Sequence, residues 1–132
     1  MDIKPIVLCF PIANRRISYD FYHITFGFNP IGDTAEDGIP EPLQFVINPG
    51  LRLMLIPTDG FSWVIGNNKV ASPGISECIL SIEVESNLEV DEIIQRALKA
   101  GANIISEPSK QEWGYTGMFS DPDGHAWEVT AI

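Results

Sequence analysis

The chain is short of cations. Eight Lys and Arg stand against eighteen Asp and Glu, for a formal net charge of −10. Nucleic acid and anionic membrane surfaces recruit basic patches, so the charge balance argues against both as partners. Long apolar runs are missing too: no stretch approaches the ~20 residues needed to cross a bilayer. The opening "MDIKPIVLCF" has an acid at its second position and no extended apolar core. It does not resemble an export signal, and the cytoplasm is the expected location. Cysteine is scarce: Cys9 and Cys78 lie in apolar stretches and are expected as free thiols in a reducing compartment. The chain contains no P-loop, GxSxG, HExxH or GxGxxG pattern, so those nucleotide, nucleophile and metal chemistries lack their usual signatures.

What is present is ordinary globular material, 132 residues that are 45% hydrophobic and 20% charged, enough for one domain. Six of the acids fall between Glu77 and Glu92, the most negative segment. In "NLEVDEIIQRALKAG" the residues Val90, Ile93, Ile94, Ala97 and Leu98 make one buried helical stripe, with Asn87 as the expected cap and Gly101 as the stop. In "NRRISYDFYHITFG" the expected stripe is Ile17, Phe21 and Ile24, capped by Asn14 and stopped by Gly27. "PIVLCFPIA", "PLQFVIN", "LRLMLIP", "CILSIEV", "GYTGMFS" and "AWEVTAI" are candidate strands. Residues 29–42 are polar and rich in Pro and Gly, hence a loop. Residues 59–76 suggest a linker whose Trp63, Val64 and Ile65 pack against something.

The two halves repeat one another. Gly27 and Gly101, Phe45 and Phe119, and Gly50 and Gly124 are each 74 apart, and "GLRLML" aligns with "GHAWEV". The first strands match at an offset of 72, Ile12 with Val84. The pattern is a duplicated unit of strand, helix and further strands. The expected architecture is α+β, a single domain of two βαβββ modules, with module 1 at 1–58, a linker at 59–76 and module 2 at 77–132.

This arrangement resembles the vicinal oxygen chelate superfamily, which includes glyoxalase I, extradiol dioxygenases, fosfomycin-resistance enzymes and bleomycin-binding proteins. The resemblance rests on "ISYDFYHITFGF", on "LSIEVES" followed by "VDEIIQRALKAGANIISEP", and on "WGYTGMFSDPDGHAWEV". It implies a curved mixed sheet around a cleft and a homodimer. In metal-dependent members it also implies a ligand on the first and last strand of each module. Glu128 matches the last of these ligands. Its counterparts by the repeat are Met54, from 128 minus 74, and Val7 and Ile79 on the first strands. None of the three is a His or a carboxylate. A catalytic metal needs about three N, O or S donors, so no metal and no cofactor is expected.

The other candidates are weighed against plainer roles. "DPDG" favours a tight turn. His125 lies three residues before Glu128, on the opposite face of a strand, so the two are not a metal pair. His23 lies late on a helix, where a protonated His is favoured. Trp113 and Tyr115 flank a glycine in "QEWGYTGM" and could line a pocket or fill a core. Cys9 shares a strand face with Val7 but has no His or Lys placed to activate it. The favoured expectation is a glyoxalase- or bleomycin-resistance-like protein that binds a small organic molecule in an apolar cleft. The set comprises Glu128, Trp113, Tyr115, Met54, Val7, Cys9 and Ile79, with Glu128 the best catalytic candidate. Two alternatives stand beside it: a metal-dependent lyase, isomerase or dioxygenase, and a drug-sequestering protein for a cationic aromatic compound.

Overall fold

The computed structural model describes all residues, 1–132. The chain is α+β, with three helices and two mixed sheets. It divides into two compact units, the first formed by Met1–His23 and Gly27–Val70, the second by Ile24–Phe26 and Ala71–Ile132. No helix is long and apolar enough to cross a membrane.

In the first unit, β1 (Ile6–Ile12) runs parallel to β3 (Leu51–Pro57), and β2 (Leu43–Asn48) lies antiparallel on the other side of β3. Strand alternation sorts the side chains. Phe10, Ile12, Leu43, Phe45, Leu53 and Leu55 are buried on one face. Helix α1 (Arg15–Phe26) lays Tyr22 against Phe45, with ring centroids 6.0 Å apart. The Asn14 side chain accepts from Ile17 N–H at the start of α1, and Gly27, at φ 73°, ends it in the left-handed conformation that glycine adopts without steric cost. The buried stripe of α1 is Ser18, Phe21, Tyr22 and Thr25, at i, i+3, i+4 and i+7. The expected Ile17 and Ile24 are about half exposed, 53% and 50%. Two small hydroxyl residues occupy the inward positions and turn both isoleucines outward.

The first turn of α1 contains no acid. Arg15 instead ties down the loop at 36–41. Its guanidinium donates to the carbonyls of Ile39 and Pro40 and pairs with the carboxylates of Asp37 and Glu41, the latter at 2.9 Å. The expected linker contains a short helix, α2 (Thr58–Val64), with no buried residue. Trp63 and Val64 there are exposed, 75% and 57%, whereas Ile65 is half-buried, so of the three only Ile65 is covered within the chain.

In the second unit the strand order is β4 (Ile79–Glu83), β7 (Ala126–Ala131), β6 (Gly114–Ser120), β5 (Asn103–Gln111). β4 pairs parallel with β7, and the other pairs are antiparallel. Helix α3 (Asn87–Lys99) buries Val90, Ile94 and Ala97. Its cap is Ser86, not Asn87: the Ser86 hydroxyl accepts from Glu89 N–H, and Asn87 is already helical. Leu98, expected in the stripe, is 49% exposed. Gly117 lets α3 approach β6, since a Cβ there would meet Ile94 at 3.0 Å. Trp127 is fully buried, with Phe26 at 4.8 Å between ring centroids. The "DPDG" segment forms the expected turn. Asp121, buried, accepts from the backbone N–H of Asp123 and His125, and Gly124 N–H returns to the Asp121 carbonyl.

Candidate functional site

Each sheet has a second face, turned away from its buried core. In the first unit this face is set by the register of β1, β3 and β2. Cys9 lies beside Met54, and Met54 beside Gln44. One step along, Val7 lies beside Arg52, and Arg52 beside Val46. Residues paired across strands share a face, so the expected Val7, Cys9 and Met54 do stand together. All three are half-buried. Burial pushes the Cys9 thiol pKa up, which leaves less thiolate at neutral pH and makes it a poor nucleophile. The Gln44 Oε1 is buried and has no hydrogen-bond partner.

In the second unit the corresponding row is Ser81, Glu128 and Met118. The Ser81 hydroxyl donates to Glu128 Oε1 at 2.6 Å. Ile79 is on the same face, two residues before Ser81, and is 55% exposed. Glu83 stands on it beside Thr130, whose hydroxyl is hydrogen-bonded to that of Thr116 at 2.7 Å. Glu128 is half-buried with one hydroxyl partner, and its row ends in a thioether.

Tyr115 is not part of this face. It pairs with Ala131, an odd step from the Thr130–Thr116 pair, and so lies on the α3 side of the sheet. Its phenol donates to Asp91 Oδ1 of α3 at 2.6 Å. That hydrogen bond, followed by burial and the Asp91 charge, pushes the Tyr115 pKa up. Trp113 sits in the two-residue turn between β5 and β6 and is 55% exposed. It is placed with neither Glu128 nor Tyr115.

His23 and His125 take structural positions. His23 stacks on Tyr19 in the last turns of α1 and contacts the Phe28 carbonyl through Nδ1 at 3.0 Å. The His125 backbone N–H closes the Asp121 turn. Sequence reasoning missed Ser81, Gln44, Arg52 and Met118. Three were within reach of its own rules: Gln44 and Met118 are 74 apart, and Arg52 precedes Met54 by two.

A divalent metal of the kind that metal-dependent members of such a fold hold would need about three donors. Glu128 offers one carboxylate. Val7, Met54 and Ile79 offer at most a thioether, and no group of three or more His, Cys, Asp or Glu is placed to hold a metal ion. The donor set does not fit such an ion.

Known proteins resemble the chain throughout. An uncharacterized protein of Mycobacterium tuberculosis is 27% identical over 123 residues, spanning 89% of this chain and 68% of the relative. The crystal structure of a glyoxalase-related enzyme from Fulvimarina pelagi superposes with a TM-score of 0.83 at 24% identity, covering 96% of this chain and 86% of that one. TnmS3, an antibiotic binding protein from Streptomyces sp. CB03234, superposes with a TM-score of 0.65 at 23% identity, covering 99% and 98%. At these identities the two structures establish the fold. The family model for the Glyoxalase/Bleomycin resistance protein/Dioxygenase superfamily matches residues 14–129, nearly the whole chain, and the protein belongs to that superfamily.

Proposed function

We propose that the protein binds a small organic molecule without a metal ion, using the Glu128 face of the second unit's sheet. The observation that carries this reading is the state of Glu128. It is half-buried and held by one Ser81 hydroxyl, and its neighbours on the face are Met118, Ala126, Ile79 and a single further carboxylate, Glu83, fewer donors than a metal ion needs. A carboxylate so placed accepts hydrogen bonds from a ligand N–H or O–H. It does so most strongly when the donor is charged. Glu83 adds a second negative charge to the face.

Binding suits the residues better than catalysis. The raised Cys9 pKa disfavours a thiolate nucleophile, and no His stands on either face. Binding of a drug-like molecule, in the way that the neighbour TnmS3 is an antibiotic binding protein, is compatible with the same chemistry. The reading includes a homodimer: β1, β2, β4 and β5 are sheet edges, and exposed edges call for cover.

Two measurements test the proposal. Elemental analysis after dialysis should find no stoichiometric Zn, Ni, Mn or Fe; about one ion per chain, lost with Glu128→Ala, overturns the metal-free reading. A thermal-shift comparison of benzylamine with benzyl alcohol should favour the amine, and Glu128→Gln should remove the difference. An unchanged preference in Glu128→Gln would place binding elsewhere.

A further inference from the structure

Three of the four arginines have partners. Arg15 pairs with Asp37 and Glu41. Arg16 donates to the Asp37 carbonyl and lies over the Tyr19 ring, 5.6 Å from its centroid. Arg96 reaches Glu92 at 3.8 Å. Arg52 has none. It is half-buried in the middle of β3, between Val7 of β1 and Val46 of β2, on a face that carries no carboxylate. In a chain with eighteen acids, a partly desolvated guanidinium left without a counter-charge is costly, because the lost hydration is not replaced.

A second polar group on the same face is also unpartnered. Gln44 is the diagonal cross-strand neighbour of Arg52, two residues from Val46 along β2. Its Oε1 is buried without a hydrogen bond. Diagonal neighbours on paired strands stand roughly 7–8 Å apart, a gap that one planar oxygen-bearing group can bridge. The guanidinium fork matches the two oxygens of a carboxylate. The orphaned Gln44 Oε1 is an acceptor that no carboxylate satisfies, so a half-turn of the carboxamide has to bring Nε2 to the anion as the donor.

We propose that this face of the first unit is an anion subsite that takes the carboxylate of a small organic acid, with Arg52 as the charge-selecting contact and Gln44 beside it. The site goes beyond the Glu128 reading and does not depend on it. Because the whole chain carries a net charge of −10, its general field repels anions. Saturable anion binding therefore has to come from a local arrangement such as this one.

The test is an NMR titration of the full 15N-labelled chain with sodium benzoate, and with benzamide as the neutral isostere. Benzoate should shift the backbone amides around Gln44 and Arg52 saturably, and benzamide should shift them far less. Arg52→Met should weaken benzoate about tenfold or more, a change of one decade in Kd, with Arg52→Lys intermediate because it keeps the charge and loses the fork. Glu128→Gln should leave benzoate binding unchanged, which separates a failure here from a failure of the Glu128 reading. Equal shifts with benzamide, an unchanged Kd in Arg52→Met, or no saturable shift at this face up to about 50 mM would each overturn the proposal. If Arg52→Met does not fold, Arg52→Lys and the benzoate–benzamide contrast decide the matter.

Discussion

The two sheets share a register and differ in chemistry. Phe45 faces Leu53 in the first unit, and Phe119 faces Trp127 in the second; both pairs map onto each other at an offset of 74. The isolated bridge between Pro30 and Phe45 matches the β5–β6 pair of Ile104 and Phe119 at the same offset. On the outer faces the row Cys9, Met54, Gln44 matches the row Ser81, Glu128, Met118. Each row has one thioether, but the two have exchanged places: central in the first unit, terminal in the second. The first face carries an unpaired cation, Arg52, and the second carries two carboxylates, Glu83 and Glu128. Backbone pairing constrains only hydrogen bonds and alternation, so a repeated frame can diverge freely on its outer faces. At the central positions Met54 offers only a thioether where Glu128 offers a carboxylate.

The inner faces offer the largest way to test that equivalence. Trp127→Ala should destabilise by about 3–5 kcal/mol and its counterpart Leu53→Ala by about 2–5 kcal/mol, since both side chains are fully buried. Urea denaturation followed by circular dichroism measures both. A negligible effect at Leu53 would mean that the first unit does not rely on its core as the second does.

Next in size are two ties made by the helices, from α1 to the loop before β2 and from α3 to β6. At matching positions, Glu41 and Tyr115 each reach the N-terminal part of their unit's helix, at Arg15 and Asp91. The first tie holds the loop at 36–41 as well, and Arg15 is only 15% exposed. Arg15→Met should cost about 1–3 kcal/mol, because it leaves carbonyls and carboxylates without their donor. The same denaturation experiment reads it.

The second tie should be sensitive to pH. The folded Tyr115 pKa lies above its ordinary value of 10.0 because the phenol donates to the Asp91 carboxylate. Its contribution is therefore fully present below the unfolded value and is lost as pH rises through the raised folded one. The urea midpoint should fall in that alkaline window, and Tyr115→Phe should flatten the fall. Arg15→Met should not.

The smallest effect concerns the thiols. Cys78 is exposed, whereas Cys9 is half-buried with a raised pKa. Iodoacetamide at neutral pH should alkylate Cys78 first, and mass spectrometry of partial digests would reveal the order. Faster labelling of Cys9 would contradict its placement.

The fold was legible where turn residues bound a run of buried side chains. β6 matches its expected bounds and β7 falls one residue short of them, because "GYTGMFS" and "AWEVTAI" are bounded by glycine and turn residues. β5 was missed: seven of its nine residues are exposed, so no apolar alternation marks it. The α1 stripe was misplaced because Ser18 and Thr25 are buried while Ile17 and Ile24 are not. Hydrophobicity is a poor guide where close packing selects small side chains. At the site, Glu128 was reached through the family signature, and its counterparts Met54, Val7 and Ile79 through the repeat. Tyr115, weighed between a pocket wall and a core, lies on the α3 side of its sheet; alternation reverses with every residue, so its side could not be assigned before the register was known.

One detail of α1 bears on how such a chain could be divided. Its last turn, Ile24–Phe26, belongs to the second unit, where Phe26 packs on Trp127 and Phe119. A fragment cut after residue 76 would therefore lack a ring that its own core uses, and the complementary fragment would carry that ring away. The duplicated half is a unit of sequence without being a unit of folding. Co-expressed halves should become soluble together, whereas the second half alone should expose its tryptophan surface.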